Sequence, residues 1–180
     1  MFRSLSAALV LVLSPTPQPS VPADANGAIE DLVLPVEDIV GEIESMDGTE
    51  SESKQGREVT VSVTSDVLFA LDKWTLNAKA RQRLAKVAGR VEAESAGGVV
   101  RIEGHTDDQG ADAYNVTLSR RRAQAVEAVM RGHLAGAGVT LQAQGYGETR
   151  PKLPNLIDGK PVAKNRAKNR RVEIVFTARQ

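Results

Sequence analysis

Cysteine is absent from the 180 residues. That excludes a disulfide framework, a thiol nucleophile, a thiolate metal site and a lipid-modified N-terminal cysteine as a membrane anchor. Aromatic residues are scarce, at one Trp, two Tyr and three Phe, which leaves little from which to build a base-stacking platform. Only two histidines occur, His105 and His133, and neither lies in an H-E-x-x-H pattern. His105 is expected to be a loop residue that hydrogen-bonds locally, and no metal site is expected, because its loop offers too few ligands. No S-x-x-K or G-x-S-x-G marks a serine nucleophile, and no G-x-G-x-x-G follows a strand. Glu103, Glu148 and Glu173 read as isolated carboxylates without the pairing of a glycosidase. Neither an enzyme nor a cofactor is expected.

What is present is unevenly distributed. The net charge is zero, yet residues 26–58 carry ten acids against Lys54 and Arg57, a net of −8, and residues 59–180 carry 20 Lys and Arg against 12 Asp and Glu, a net of +8. An acidic arm precedes a basic domain. Ahead of the arm, residues 1–25 read as a signal peptide: Arg3 supplies positive charge, Leu5 to Leu13 an apolar core too short to span a bilayer, and Ala23-Asp24-Ala25 a cleavage site. Export beyond the cytoplasm, with no transmembrane segment in the mature chain, is the expectation. Within the arm an apolar seam runs from Leu32 to Ile43. Ser45 to Gln55 is a polar linker by composition, and the arm is expected to dock on the basic domain or to recruit an envelope protein partner.

From Val59 the pattern becomes regular. Val59, Val61 and Val63 alternate as a strand that runs on to Val67-Leu68-Phe69. After a turn at Asp72 to Leu76, Asn77 is placed to cap a helix whose buried face is Ala80, Leu84, Val87, Ala88 and Val91. Val99 to Glu103 reads as a strand that breaks at Gly104. A second helix is expected over residues 115–134, with Leu118, Ala125, Val126 and Val129 on its apolar face. A third strand follows at Leu141 to Gly145, then a long loop from Glu148 to Ala163, a short polar helical turn, and a last strand at Arg171 to Phe176. Alternating strands and helices predict an α/β fold. Arg122 lies on the apolar face of the second helix and near its expected start, where burial and the helix dipole both disfavour a cation, so an anion is expected there, with Asp107 the nearest offer.

Five blocks carry a family resemblance: Gly104 to Gly110 (GHTDDQG), Tyr114-Asn115, Leu118 to Ala123, Gly145 to Pro151 and Asn169 to Ile174. In this order they resemble the OmpA-like domain, a peptidoglycan-binding module of bacterial envelopes, over about residues 59–176. The resemblance implies a β-α-β-α-β-β mixed sheet (α+β) with both long helices on one side. It also implies a partner, peptidoglycan, and a place in the periplasm, in the cell wall or at the outer membrane. In the family the residues matching Asp107 and Arg122 hold the diaminopimelate of the stem peptide. That ligand ends in an ammonium and a carboxylate on one carbon, which an Asp–Arg pair complements; without ligand the two are expected to satisfy each other. Thr106 and Asn115 flank the pair, either as ligand contacts or as local caps. Phe69 and Asp72 match a family F-x-x-D segment, with Phe69 expected in the core and Asp72 at the pocket. The basic run Lys164, Arg166, Lys168, Arg170, Arg171 suggests a nucleic-acid patch when read alone, but in an exported chain Arg170 or Arg171 fits the pocket better; Arg170 is the candidate.

Overall fold

The structure, a computed structural model, describes residues 41–180; the expected signal peptide and most of the apolar seam lie outside them. The elements in chain order are β1 (Gly41–Glu44), β2 (Glu50–Gln55), β3 (Glu58–Thr64), α1 (Ser65–Leu68), α2 (Ala78–Glu94), β4 (Gly98–His105), α3 (Asp112–His133), β5 (Val139–Gly147), β6 (Leu156–Ile157), β7 (Lys160–Pro161), α4 (Ala163–Asn169) and β8 (Arg171–Thr177). Six strands form one sheet in the order β1-β2-β3-β8-β4-β5. Its β4–β5 pair is parallel and the others are antiparallel, so the sheet is mixed. From β3 onward, with the short helices α1 and α4 and the two-stranded β6–β7 hairpin set aside, the order is the expected β-α-β-α-β-β.

Strand alternation gives the sheet two unlike faces. Val59, Val61, Val63, Val100, Ile102, Val172, Ile174 and Phe176 point to one face and are buried under α2 and α3. The helices meet them with Ala80, Leu84, Val87, Ala88 and Val91 from α2 and Ala123, Val126 and Met130 from α3. The Asn77 side chain accepts a hydrogen bond from the Ala80 amide at 2.7 Å and caps α2 as expected. On the opposite face stand Arg101, Glu103, Arg171 and Glu173.

Four local expectations are corrected. Strand pairing ends at Thr64: α1 follows, turning Val67 and Leu68 into a helical corner rather than a strand. The strand before the GHTD loop does not break at Gly104 but continues to His105 through an irregularity in its pairing with β5. α3 starts at Asp112, so Arg122 sits mid-helix, where the dipole has no appreciable grip; the argument for an anion there rests on burial alone. Finally, Ser45 to Gln55 is not a linker. Its β2 pairs with β3 along six residue pairs, and β1 folds back on β2. The polar composition arises because both faces of this hairpin meet cations. Glu52 shares the helix face and bonds Arg90 of α2 at 2.8 Å, while Glu42 and Glu44 on the other face bond Lys152 and Lys168.

Candidate functional site

The pocket at the end of the sheet is built by a close approach of α3. Gly104 and Gly145 lie against its backbone: a Cβ on either would fall inside the main chain of Ser119 or Arg120. Ser119 is fully buried, and its hydroxyl accepts from the Gly147 amide at 2.9 Å. Gly147 adopts φ 58°, and its carbonyl accepts from the Thr106 amide at 2.9 Å. The GHTD loop is thereby pinned to the end of β5. Asn115 continues the clamp, donating to Glu148 Oε2 at 2.6 Å and to the Gln109 carbonyl at 3.1 Å. From the other side, buried Asn169 accepts from the Lys152 and Leu153 amides and donates to the Leu153 carbonyl and Asn155 Oδ1. That staple fixes the long loop and sets Arg170 at the pocket.

All six expected site residues, Asp72, Thr106, Asp107, Asn115, Arg122 and Arg170, line one pocket of about 310 Å³. Asp66, Leu71, Gln109, Tyr114 and Leu118 complete its wall. The wiring differs from expectation. Asp107 and Arg122 do not pair. Arg170 takes Asp107 instead, with Nη1 donating to Oδ2 at 2.8 Å, and forks its other nitrogens onto Asp66 at 3.1 and 2.7 Å. Arg170 arrives on the stapled segment between α4 and β8, nearer to Asp107 than the mid-helix Arg122. Hydrogen bonds donated to Asp66, then to Asp107, raise the pKa of Arg170 against its partial burial, so its charge is fixed.

Arg122 is 5% exposed and donates through Nε to the Lys73 carbonyl at 3.0 Å, with its guanidinium 5.3 Å from the Phe69 ring. Among the described residues no carboxylate lies within ion-pair distance of it. Burial pushes its pKa down, and the attraction of Asp66 and Asp72 offsets this only in part. Asp72 faces the pocket from a left-handed backbone, φ 55°, a conformation that costs on the order of 1 kcal/mol or more and tends to persist at functional loops. Thr106 lines the pocket with its hydroxyl buried and unbonded, and Phe69 is in the core as expected.

Sequence reasoning missed Asp66, whose only local signal is an acid in the first turn of a four-residue helix. Two further expectations are corrected. His105 does not hydrogen-bond locally: it is 1% exposed and neither ring nitrogen has a partner. Glu103 and Glu173 are not isolated, being directly opposite each other across β4 and β8.

The sequence profile of the OmpA family matches residues 68–170, more than half of the chain. The chain belongs to the OmpA family. Its OmpA-family region is 37% identical over 116 residues to the outer-membrane lipoprotein YfiB of Pseudomonas aeruginosa, covering 64% of this chain and 65% of that protein. It is 39% identical over 90 residues to a peptidoglycan-associated lipoprotein of Haemophilus influenzae, covering 48% and 56%. Among solved structures, the cell wall anchor of the T6SS from Pseudomonas aeruginosa superposes with a TM-score of 0.61 at 27% identity, covering 73% of this chain and 89% of that one. Three curated relatives are spanned over 13%, 31% and 65% of their lengths. The OmpA-family region is a non-enzymatic module, and its pocket holds an arginine–carboxylate arrangement suited to binding. Among the described residues no helix is long and apolar enough to cross a membrane.

Proposed function

We propose that the OmpA-family region binds peptidoglycan non-covalently through the diaminopimelate residue of its stem peptide, and that the chain serves as an anchor in the extracytoplasmic envelope. The observation that carries this reading is Arg122, a buried guanidinium at the pocket wall with no carboxylate among the described residues to meet it. A charge so placed favours an incoming anion, and its free edge suits a bidentate carboxylate. Asp107, Asp66 and Asp72 supply negative charge around the same pocket for an ammonium group. A ligand bearing both charges on one carbon satisfies both sets at once. Relatives named for peptidoglycan and for a cell wall anchor support the same reading.

The test is binding of the full chain to defined stem peptides. A peptide whose third residue is diaminopimelate carries the carboxylate that Arg122 needs, and one with lysine there lacks it. The expectation is at least tenfold tighter binding to the first; equal affinity for the two overturns the reading. Export is tested separately, by mass spectrometry of the envelope fraction for a chain cleaved near Ala25.

A further inference from the structure

The helix-free face of the sheet carries a second cluster that peptidoglycan binding does not use. Glu103 and Glu173 face each other directly across β4 and β8. Like charges so placed repel, and here both are largely removed from water. His105, two residues beyond Glu103, turns its fully buried ring into the same spot. Its Nε2 lies 3.6 Å from Glu173 Oε2, outside hydrogen-bond reach, and neither nitrogen bonds any group.

We propose that Glu103, His105 and Glu173 form a binding site for a divalent transition-metal ion of the zinc type. One ligand atom from each residue can be chosen so that all three lie within 4.8 Å of one another. Two ligands of a tetrahedral zinc, each about 2.0–2.1 Å from the ion, are about 3.4 Å apart. The 3.6 Å gap between His105 and Glu173 is close to that separation, and the Glu103 carboxylate closes on the ion by a small side-chain rotation.

The surrounding arginines leave the ligand atoms available. Arg171 Nε occupies Glu173 Oε1 at 2.7 Å, and Arg101 Nε occupies Glu103 Oε1 at 3.0 Å. Each carboxylate keeps its second oxygen for the ion, and the bound arginine orients it in the manner of an outer-sphere partner. Among the described residues, Arg150 is the cation near Glu103 Oε2, at 3.8 Å; it is 58% exposed and lies over the Tyr146 ring, so it can swing into solvent. Tyr146 in turn stacks on the His105 ring with 5.5 Å between centroids and holds it in place. The fourth coordination position is left for water.

The experiment is titration of the full chain with zinc chloride by calorimetry, with cobalt(II) as a spectroscopic substitute. The parent is expected to bind one zinc ion per chain, to melt at a higher temperature in its presence, and to give the visible absorption of a four- or five-coordinate cobalt site. His105→Gln should weaken zinc binding at least tenfold and abolish the absorption, and Glu103→Gln should do likewise should the first variant misfold by circular dichroism. His133→Gln, altering the exposed histidine on α3, should change nothing. Absence of binding by the parent, or binding unchanged in folded His105→Gln or Glu103→Gln, overturns the proposal. Stem-peptide affinity in the same samples reports separately on the peptidoglycan pocket.

Discussion

The acidic hairpin and the pocket both join acids to bases, to opposite effect. At the hairpin, Glu42, Glu44, Asp47 and Glu52 meet Lys152, Lys168, Arg83 and Arg90 mostly near the surface. Every cation finds an acid, and beneath them a backbone ladder already joins β2 to β3. At the pocket the distribution is lopsided: Arg170 serves two acids while Arg122 has none. Satisfied exposed pairs make a surface inert, whereas an unevenly satisfied buried group makes a surface ready for a ligand. The lesson is that the number of ion pairs says little about function; the position of the unpaired charge says more.

The strongest way to break this contrast is to remove the charges that face the ligand. Asp107→Ala or Arg122→Ala should cost on the order of 2–5 kcal/mol of binding, a roughly 30- to several-thousand-fold loss of affinity for stem peptide. Cosedimentation with purified sacculi checks this on variants first shown to be folded. Parent-like sedimentation would reduce both residues to scaffolding. Arg122→Lys keeps the charge and loses the fork, and should fall in between.

A second effect belongs to stability. Burial alone would raise the Glu173 pKa, but the His105 ring and the Arg171 guanidinium outweigh it and hold the carboxyl at about 2, against 4.5 ordinarily. A depressed folded-state value stabilises the protein at pH values above about 4.5, and that contribution is lost as pH falls toward 2. The window should cost about 3 kcal/mol, and Glu173→Gln should flatten the dependence of the melting temperature on pH there. Similar acid sensitivity in parent and variant would show that other carboxyls govern it.

Smaller still is the expected effect of Asp66→Asn. It weakens the fork that holds Arg170 and leaves Asp107 less firmly oriented, a three- to tenfold loss of ligand affinity, or about 1 kcal/mol. Smallest of all are changes at the hairpin. Lys152→Ala should alter stability by less than about 1 kcal/mol. In 1 M salt, where the Debye length is about 3 Å, the β2 amides should keep their protection from hydrogen exchange. Exchange that accelerates sharply in salt would mean that charge, not the ladder, holds the hairpin.

The sequence was most informative where a period of residues meets a single environment. The five apolar residues of α2 recur at helical spacing and all are buried, and the Asn77 cap is local to its helix. Five of the six site residues were reachable because they sit in the family blocks, and Asp72 because it closes the F-x-x-D segment. What stayed hidden depends on partners far along the chain. Arg170 meets Asp107 across 63 residues and Asp66 across 104, so no local pattern shows which acid takes which arginine. The hairpin stayed hidden for a related reason. Its polar residues resemble solvated chain until Arg90 of α2 and Lys152 and Lys168 are folded against its two faces.

Gly104 and Gly145 act as a gauge. Because α3 rests on bare backbone at both points, the separation between the strand that leads into Asp107 and the helix that carries Arg122 is set by two hydrogen atoms instead of side chains. The pocket's reach from one charge to the other is therefore a fixed length rather than an adjustable one. A methyl group at either glycine would work as a shim under the helix. Its carbon would lie 2.2 Å from the main chain of Ser119 or Arg120, so the helix would have to give way and the pocket would be disturbed without a change in any ligand-facing residue.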